Sequence, residues 1–117
     1  MEDLRAWVPA LLGGRLLGPA TQTQRLRVRP TGVPDVSYGL GIAEFNGWVG
    51  HNGELPGYET VAVGLPGNGA TLVILVNSDI DRGGSLSGQV AHAVTKVATP
   101  DHVWGPPTPA PTGASTP

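Results

Sequence analysis

Residues 43–53, which read AEFNGWVGHNG, decide how the chain folds. Asn46-Gly47 is the dipeptide best suited to a two-residue β-hairpin turn, because both residues tolerate the positive φ angles that such a turn requires. Phe45 precedes the turn and Trp48 follows it, so each side begins with a residue that favours strands. The stretch therefore predicts a tight hairpin whose second strand runs over residues 48–52.

Strand patterns continue from this hairpin in both directions. Upstream, apolar residues alternate with small ones over residues 37–45, which predicts a half-covered strand. Downstream, residues 57–65 alternate, and a Pro-Gly-Asn-Gly turn leads into Leu72–Val76. That last run does not alternate, which is typical of a strand covered on both faces. Strands near 37–45, 48–52, 58–65 and 70–77 are expected to be antiparallel neighbours in chain order.

Helical periodicity flanks these strands on both sides. Near the start of the chain, apolar residues recur on one helical face: Leu4, Trp7, Val8, Leu11 and Leu12. Asp3 is the candidate N-cap, Gly13-Gly14 the stop, and Pro9 an expected kink. A second short helix is predicted from Pro19 to Leu26. A third begins near Ser85, with an apolar face at Leu86, Val90, Val94 and Val97.

These elements predict an α+β fold, an antiparallel β-meander of about four strands flanked by N-terminal and C-terminal helices. Residues 1–104 are expected to form one domain. Residues 105–117 contain only Gly, Pro, Thr, Ala and Ser, so they lack the apolar surface needed to offset the entropy of ordering. This segment is predicted to be a disordered, Pro-rich tail.

Composition excludes several classes of function. The net charge is −2 and the seven basic residues are spread along the chain, which gives no basic footprint for nucleic acid. There is no cysteine, and the three histidines have no partner at metal-ligand spacing, so we expect neither a disulfide nor a metal or other cofactor.

Charged residues make up only 14% of the chain, against about 25% in typical proteins. This low charge suggests that another surface covers part of the fold.

The sequence shows neither a transmembrane nor a leader pattern. Its apolar runs, Val8–Leu12 and Leu72–Val76, are much too short to span a bilayer. Glu2 and Asp3 occupy the place where a signal peptide has basic residues. The compartment therefore does not follow from these residues.

Few side chains stand out as chemical candidates. His51 lies in a Gly-rich segment next to a predicted strand end, where it can act as an acid, a base or an anion ligand, or be a simple exposed turn histidine. His92 and His102 are expected on the surface. The remaining carboxylates of interest show no pairing by spacing, and each is as easily a solvated turn residue: Glu54, Glu59, Asp79 and Asp81.

The order of the segments adds a stronger signal. A helical stretch over residues 3–17 is followed by YGLG at 38–41, GHNG at 50–53, PGY at 56–58, and an apolar strand that ends in VNSD at 76–79. This succession resembles the C-terminal part of the penicillin-recognising serine hydrolases, and is most similar to class C β-lactamases, DD-carboxypeptidases and related esterases. The resemblance covers about residues 3–97, nearly all of the chain before the tail.

In that family, three motifs meet in a cleft: Ser-x-x-Lys with the nucleophile, Tyr-x-Asn or a variant with the base, and Lys/His-x-Gly on a strand edge. This chain carries only the third, as His51-Asn52-Gly53. No serine has a lysine three residues later, and neither tyrosine has an asparagine two residues later. The resemblance therefore implies a C-terminal fragment of a serine hydrolase that is inactive alone.

The resemblance also implies roles for the residues that are present. His51 would place a positive or hydrogen-bonding group beside the nucleophile, Gly53 would let the substrate backbone approach, and the Glu54 N–H would supply one oxyanion donor. Asn52 stands where the family has Thr or Ser, and Glu54 adds a negative charge nearby. These two departures argue against β-lactam or D-Ala-D-Ala recognition and leave an ester or another amide open.

Partners and location follow from the same resemblance. The parent enzyme would take a small ester, amide or peptide-like substrate outside the cytoplasm, and the sheet surface left uncovered in this piece would favour self-association. A different class of function stays open. A free-standing α+β binding module would use its Gly-rich sheet edge to capture a peptide or partner chain by strand addition.

Overall fold

A six-stranded antiparallel sheet carries the fold in the computed structural model, which describes residues 1–78, 80 and 83–105. The strands pair in chain order, from β1 at one edge to β6 at the other. They are β1 (Arg29–Pro30), β2 (Val36–Tyr38), β3 (Ala43–Phe45), β4 (Trp48–Leu55), β5 (Tyr58–Leu65) and β6 (Ala70–Val76). The predicted α+β meander is confirmed, with six strands in place of about four. Of the predicted tail, residues 106–117 lie outside the described residues.

The hairpin predicted at Asn46-Gly47 is present. Phe45 pairs with Trp48 across the turn, and φ is 48° at Asn46 and 90° at Gly47. Glycine is needed at the second position for a further reason, because a Cβ there would lie 2.8 Å from Nδ1 of His102. The turn is thus fixed both by its backbone conformation and by the segment packed over it.

The single strand predicted over residues 37–45 is wrong. This segment forms a second hairpin, in which Tyr38 pairs with Ala43 across a turn. Gly41 has a φ of 65°, and a Cβ on Gly39 would lie 2.6 Å from the carbonyl oxygen of Arg25. The two glycines that looked like one open strand face therefore make a turn.

The next hairpin extends β4 three residues beyond its predicted end at residue 52. Leu55 pairs with Tyr58 across Pro56-Gly57. Gly57 has a φ of 85°, and Pro followed by a positive-φ Gly is the usual make-up of a type II turn. As a result, residues 53–55 continue the strand instead of leaving it.

The described part of the chain contains three helices: α1 (Glu2–Leu12), α2 (Pro19–Arg25) and α3 (Leu86–Ala98), the last followed by a 3₁₀ turn at Pro100–His102. Helices α1 and α3 both contact β5 and β6. In the described part of the chain, no helix is long and apolar enough to cross a membrane. The three predicted helices are confirmed.

Two details of the predicted caps have different outcomes. Asp3 lies inside the first turn of α1, whose N-cap is Met1, because the helix begins two residues earlier than the apolar pattern suggested. Pro9 lies inside α1, which ends at Leu12 with Gly13 as its C-cap, where the stop was predicted. Ser85 caps α3 as predicted, and its Oγ accepts a 3.0 Å hydrogen bond from the Gly88 N–H.

Opposite faces of the sheet receive the two longer helices. Val8 and Leu12 of α1 lie over Gly64, whereas Ala91 of α3 packs with Val61 and its alternating neighbours in β5. Since successive side chains of a strand point to opposite faces, α1 and α3 cover different sides. β6 thus has a helix on each side, but the predicted cover is incomplete, because Leu75 remains 47% exposed.

The buried face of α3 differs from its predicted apolar face. Ser87, Ala91 and Thr95 are buried, while the predicted face is largely exposed, at Val90 (45%), Val94 (43%) and Val97 (86%). Small side chains let this helix lie close to the sheet. The Ser87 N–H donates to Glu59, and the Thr95 hydroxyl accepts from the Trp104 N–H. Hydrogen bonds and the burial of small residues, among them Ala91 of the hydrophobic core, therefore set which face of α3 meets the sheet.

Gly64 provides a test of how tightly α1 packs on the sheet. A Cβ at this position would lie 2.6 Å from Cδ1 of Leu12 and 3.1 Å from Cγ1 of the fully buried Val8. We expect Gly64→Ala to destabilise the fold by about 1–3 kcal/mol through overpacking. Gly67→Ala is the matched control, since nothing lies within 4 Å of its Cβ position. Equal urea midpoints for the two variants would contradict this packing.

Candidate functional site

The second half of β4 is an open strand edge. His51, Asn52, Gly53 and Glu54 are all exposed. On one side β4 pairs with β5 along its length from Val49 to Leu55, but on the other side β3 pairs only with residues 48–50. The four predicted site residues therefore lie together on the part of β4 that has no strand paired to its outer side.

The backbone groups on this edge follow from the hairpin register. A two-residue turn joins Phe45 and Trp48, which makes them a hydrogen-bonded pair, and such pairs recur at every second residue. Trp48 and Gly50 thus direct their N–H and C=O groups toward β3. By the same alternation, Asn52 and Glu54 direct theirs to the same outer side, where β3 has ended. The Glu54 N–H is an available backbone donor.

Glycine shapes the strand on both sides of His51. A Cβ at Gly50 would lie 2.3 Å from the Ala62 carbonyl oxygen, and Gly50 has a φ of 151°, so only glycine fits there. Gly53 has nothing within 4 Å of its Cβ position. The first glycine allows β4 to press against β5, and the second leaves open space above the strand edge.

Two partners hold the His51 ring. Its Nε2 lies 2.7 Å from the Tyr38 hydroxyl, and its Nδ1 contacts the Asn52 carbonyl oxygen. Because a carbonyl oxygen only accepts, Nδ1 carries the proton, and in the neutral ring Nε2 accepts from the Tyr38 O–H. The rings meet edge to face, with centroids 5.5 Å apart and planes at 88°. One tautomer and one ring orientation are selected.

The contribution of Tyr38 did not follow from the sequence. The YGLG segment was the available signal, but as part of a single strand it gave no reason to place Tyr38 beside His51, 13 residues away. The two hairpins, β2–β3 and β3–β4, bring them together by reversing the chain twice.

The other two histidines are structural, and their predicted surface positions are corrected. His92 Nδ1 lies 2.8 Å from the Trp104 carbonyl oxygen, and His102 Nδ1 lies 3.0 Å from that of Asn46. Both rings are half-buried. The Trp48 indole N–H also donates to the His102 carbonyl oxygen at 2.7 Å. Together these bonds hold the segment after α3 against the sheet.

Glu59 is buried, with 4% of its surface exposed, which excludes the solvated turn position, one of the two alternatives that the sequence left open for it. Its Oε2 accepts from the Ser87 N–H and from the Ser85 hydroxyl, both at 2.8 Å. The Ser87 N–H, followed by smaller hydrogen-bond contributions from Ser85 and other groups at the start of α3, holds the carboxyl pKa below its usual 4.5, against the opposing effect of burial. Glu59 therefore anchors the start of α3. Glu54 is exposed, and Asp79 and Asp81 lie outside the described residues.

This anchor predicts an acid-sensitive contribution to stability. Because the folded pKa of Glu59 is lowered, its stabilisation is fully present above the unfolded-state value and is lost as pH falls below about 4.5 through the folded pKa. We expect Glu59→Gln to flatten the decline of the urea midpoint between pH 4.5 and pH 3. Glu54→Gln, at an exposed position on the paired strand, is the control and should leave that decline unchanged. The same flattening in both variants would contradict the assignment.

Neither Ser85 nor Ser87 belongs to a Ser-x-x-Lys motif, because Gly88 and Val90 stand three residues after them. The sequence contains a single lysine, Lys96, and it is exposed on α3. The hydroxyls of Ser85 and Ser87 bond to each other, in the cluster that serves Glu59. Through the Ser85 hydroxyl and the Ser87 N–H, both serines take part in the bonding that anchors the start of α3 to Glu59.

Comparison with known proteins adds to this geometry. No protein-family model matches the sequence, and no curated protein matches it significantly. Among solved structures, a D-stereospecific amidohydrolase from Streptomyces sp. aligns with a TM-score of 0.60 and 28% identity, over 67% of this chain and 25% of its own. The D-amino acid amidase of Ochrobactrum anthropi SV3, complexed with D-phenylalanine, aligns with a TM-score of 0.58 and 25% identity, over 69% and 30%.

The fold is β-lactamase-like. Both neighbours are members of the penicillin-recognising serine hydrolases, which confirms the sequence resemblance at the level of that superfamily. The chain spans only about a quarter to a third of their length, 25% and 30% respectively. The chain thus corresponds to only a part of those proteins.

Proposed function

We propose that this chain supplies one wall of the active site of a serine hydrolase that cleaves an amide through an acyl-enzyme. The observation that carries the proposal is the open edge of β4, where His51 is held in one orientation beside unpaired backbone donors. Such an edge suits a substrate carbonyl, whose developing negative charge needs donors fixed in advance. The similarity to two amidases supports an amide over an ester.

Each residue at this edge has a proposed role. The Glu54 N–H is one oxyanion donor, and Gly53 leaves room for the substrate backbone. The Tyr38–His51 pair presents a hydrogen-bonding group next to the position of the nucleophile. Asn52 offers its side-chain amide where the family has a hydroxyl. Because the amide is neutral and Glu54 is negative, this end of the edge suits an uncharged part of the substrate.

Chemistry requires parts that this chain does not carry. Acyl transfer needs a nucleophile and a base within hydrogen-bond reach of each other, and the only lysine is Lys96 on α3. We propose that the chain is the C-terminal portion of a hydrolase fold and that a segment with Ser-x-x-Lys and Tyr-x-Asn completes the site. The chain alone is then a folded half-site without turnover.

Covalent labelling tests this proposal. We would treat the chain with a fluorophosphonate, which forms a stable bond with an activated serine, and locate the label by mass spectrometry. The chain alone should remain unlabelled. A chimaera, in which this chain replaces the matching segment of the D-amino acid amidase, should be labelled on the serine of the amidase part. Labelling of Ser85 or Ser87 in the isolated chain, or a folded chimaera that resists labelling, would contradict the proposal.

Strand addition is a second candidate function, and one observation favours it. β6 forms the other edge of the sheet, and its seven residues, ATLVILV, contain no charge and no proline. An apolar edge of this kind readily pairs with a further strand. A binding module would offer it to a peptide or partner chain, whereas the parent hydrolase would cover it with its own remaining strands.

The same edge predicts that the isolated chain self-associates. Leu75→Lys, at a 47% exposed position of β6, should shift the chain toward monomer, because a charge on an edge strand opposes edge-to-edge pairing. Val97→Lys makes the same change at an 86% exposed position on α3 and is the control. Size-exclusion chromatography with light scattering measures the effect. A monomeric wild type, or an equal shift in both variants, would contradict this prediction.

A further inference from the structure

A cleft lies beside the proposed site, on the side of β1 and β2. It has a volume of about 490 Å³ and is bounded by the end of α2, by β1 and by the β2–β3 turn. Its lining residues are Gln24, Arg27, Arg29, Tyr38, Gly39 and Leu40. The volume falls within the range of small-molecule sites, about 300–1,000 Å³. The cleft thus suits a part of a small ligand better than a macromolecular surface.

Positive charge is concentrated at this cleft. Three of the seven basic residues of the chain lie within residues 25–29, a local cluster despite the otherwise even spread. Arg25 is occupied, because its guanidinium donates to the Leu11 carbonyl oxygen. Arg27 and Arg29 are exposed, and in the described part of the chain the only ion pair joins Arg5 to Glu2. Two guanidinium groups therefore face the cleft without a carboxylate partner among the residues that the structure describes.

The cleft is connected to His51 through one side chain. Arg29 lies directly opposite Tyr38 in the β1–β2 pairing, so the two side chains leave the same face of that pair. The Tyr38 hydroxyl in turn bonds to His51 Nε2 at 2.7 Å. A group bound between the arginines and Tyr38 is thus next to the edge where the substrate carbonyl is proposed to lie.

We infer that this cleft binds a carboxylate group of the substrate, and that the amide cleaved at the β4 edge therefore carries a negative charge. Planar guanidinium groups match a carboxylate geometrically, and Gln24 adds a neutral donor. The charge of Glu54 keeps a carboxylate away from the β4 edge itself, which leaves this cleft as the favourable position. The claim that the bound carboxylate belongs to the substrate rests on the proposed function, whereas anion binding by the cleft does not.

Binding to the isolated chain tests the inference directly. The probes are glutarate, its uncharged analogue glutaramide, and inorganic phosphate, followed by NMR at the amides of Tyr38 and Gly39. Glutarate should bind with millimolar affinity and glutaramide should not. Arg27→Gln and Arg29→Gln should each weaken glutarate binding about fivefold, the scale of one exposed charge pair. Arg15→Gln, at an exposed arginine outside the cleft, should have no effect.

Several outcomes would overturn the inference. These are no glutarate binding, equal binding of glutaramide, or equal weakening by Arg15→Gln. Phosphate binding as tight as glutarate binding would overturn the assignment to a carboxylate.

Failure of the inference is distinguishable from failure of the hydrolase proposal, because anion binding requires no nucleophile. Glutarate binding by the chain, together with a folded but inactive chimaera, would sustain the cleft and refute the hydrolase. In an active chimaera, Arg29→Gln should lower kcat/KM about fivefold for a carboxylate-bearing amide relative to a neutral one. An unchanged ratio of the two kcat/KM values would refute the cleft alone.

Discussion

Replacing Trp104 with alanine is expected to destabilise the fold by about 3–5 kcal/mol, which approaches the whole stability of a small domain. Trp104 is only 5% exposed and packs against Phe45 with ring centroids 4.4 Å apart. Its backbone N–H donates to the buried Thr95 hydroxyl at 2.8 Å. It therefore fills the core between the Asn46-Gly47 hairpin and α3.

Trp7→Ala is the matched control for this variant. Trp7 lies on α1 and is 50% exposed, so its removal should cost about 1 kcal/mol or less. Urea unfolding followed by far-UV circular dichroism measures both changes. If the free energy of unfolding of Trp104→Ala lies within about 1 kcal/mol of the wild-type value, the segment after α3 does not belong to the core.

Replacing His51 with alanine is expected to lower kcat/KM of the active chimaera by about 10²–10³-fold, the usual effect of removing one fixed group from an acyl-transfer site. The ring has two partners, so its orientation is set before substrate binds. Tyr38→Phe removes only the 2.7 Å bond to Nε2 and should cost less, about tenfold. A larger loss of kcat/KM for His51→Ala than for Tyr38→Phe would indicate that His51 acts at the reacting atoms and that Tyr38 positions it.

Leu55→Ala is the control for the His51 variant, because Leu55 lies on the same strand and is 72% exposed. Its kcat/KM should match that of the unmodified chimaera. Urea midpoints of all three variants separate lost activity from lost folding. A similar decrease in activity for Leu55→Ala and His51→Ala would show that the strand end is merely sensitive to change.

Local chemistry explains what the sequence predicted well. Asn46-Gly47 specifies its turn with two residues, whatever surrounds it, and Ser85 caps α3 with a bond to a residue three positions away. The strand order follows because hairpins join neighbours. The resemblance to serine hydrolases was likewise carried by short segments in a fixed order, and the structural neighbours confirm it at the superfamily level.

Long-range contacts explain the rest. The turn at Gly39 and Gly41 could not be predicted, because the close approach of the Arg25 carbonyl oxygen to Gly39 has no local sequence signal. The valine stripe on α3 indicated the wrong face because Glu59, 28 residues from Ser87, rotates the helix toward its serines. The Tyr38–His51 contact required two hairpins to be placed first. The roles of His51, Asn52, Gly53 and Glu54 remain predictions.

Turnover of a chromogenic anilide of D-glutamate, which carries a side-chain carboxylate, is measured with the chain alone and then with the chimaera to distinguish a half-site from a complete enzyme. We expect no turnover by the chain alone, turnover by the chimaera, and loss of that turnover in the His51→Ala chimaera. Turnover by the isolated chain that disappears with Ser85→Ala or Ser78→Ala would contradict the half-site proposal, because it would reveal a complete nucleophilic site within these 117 residues.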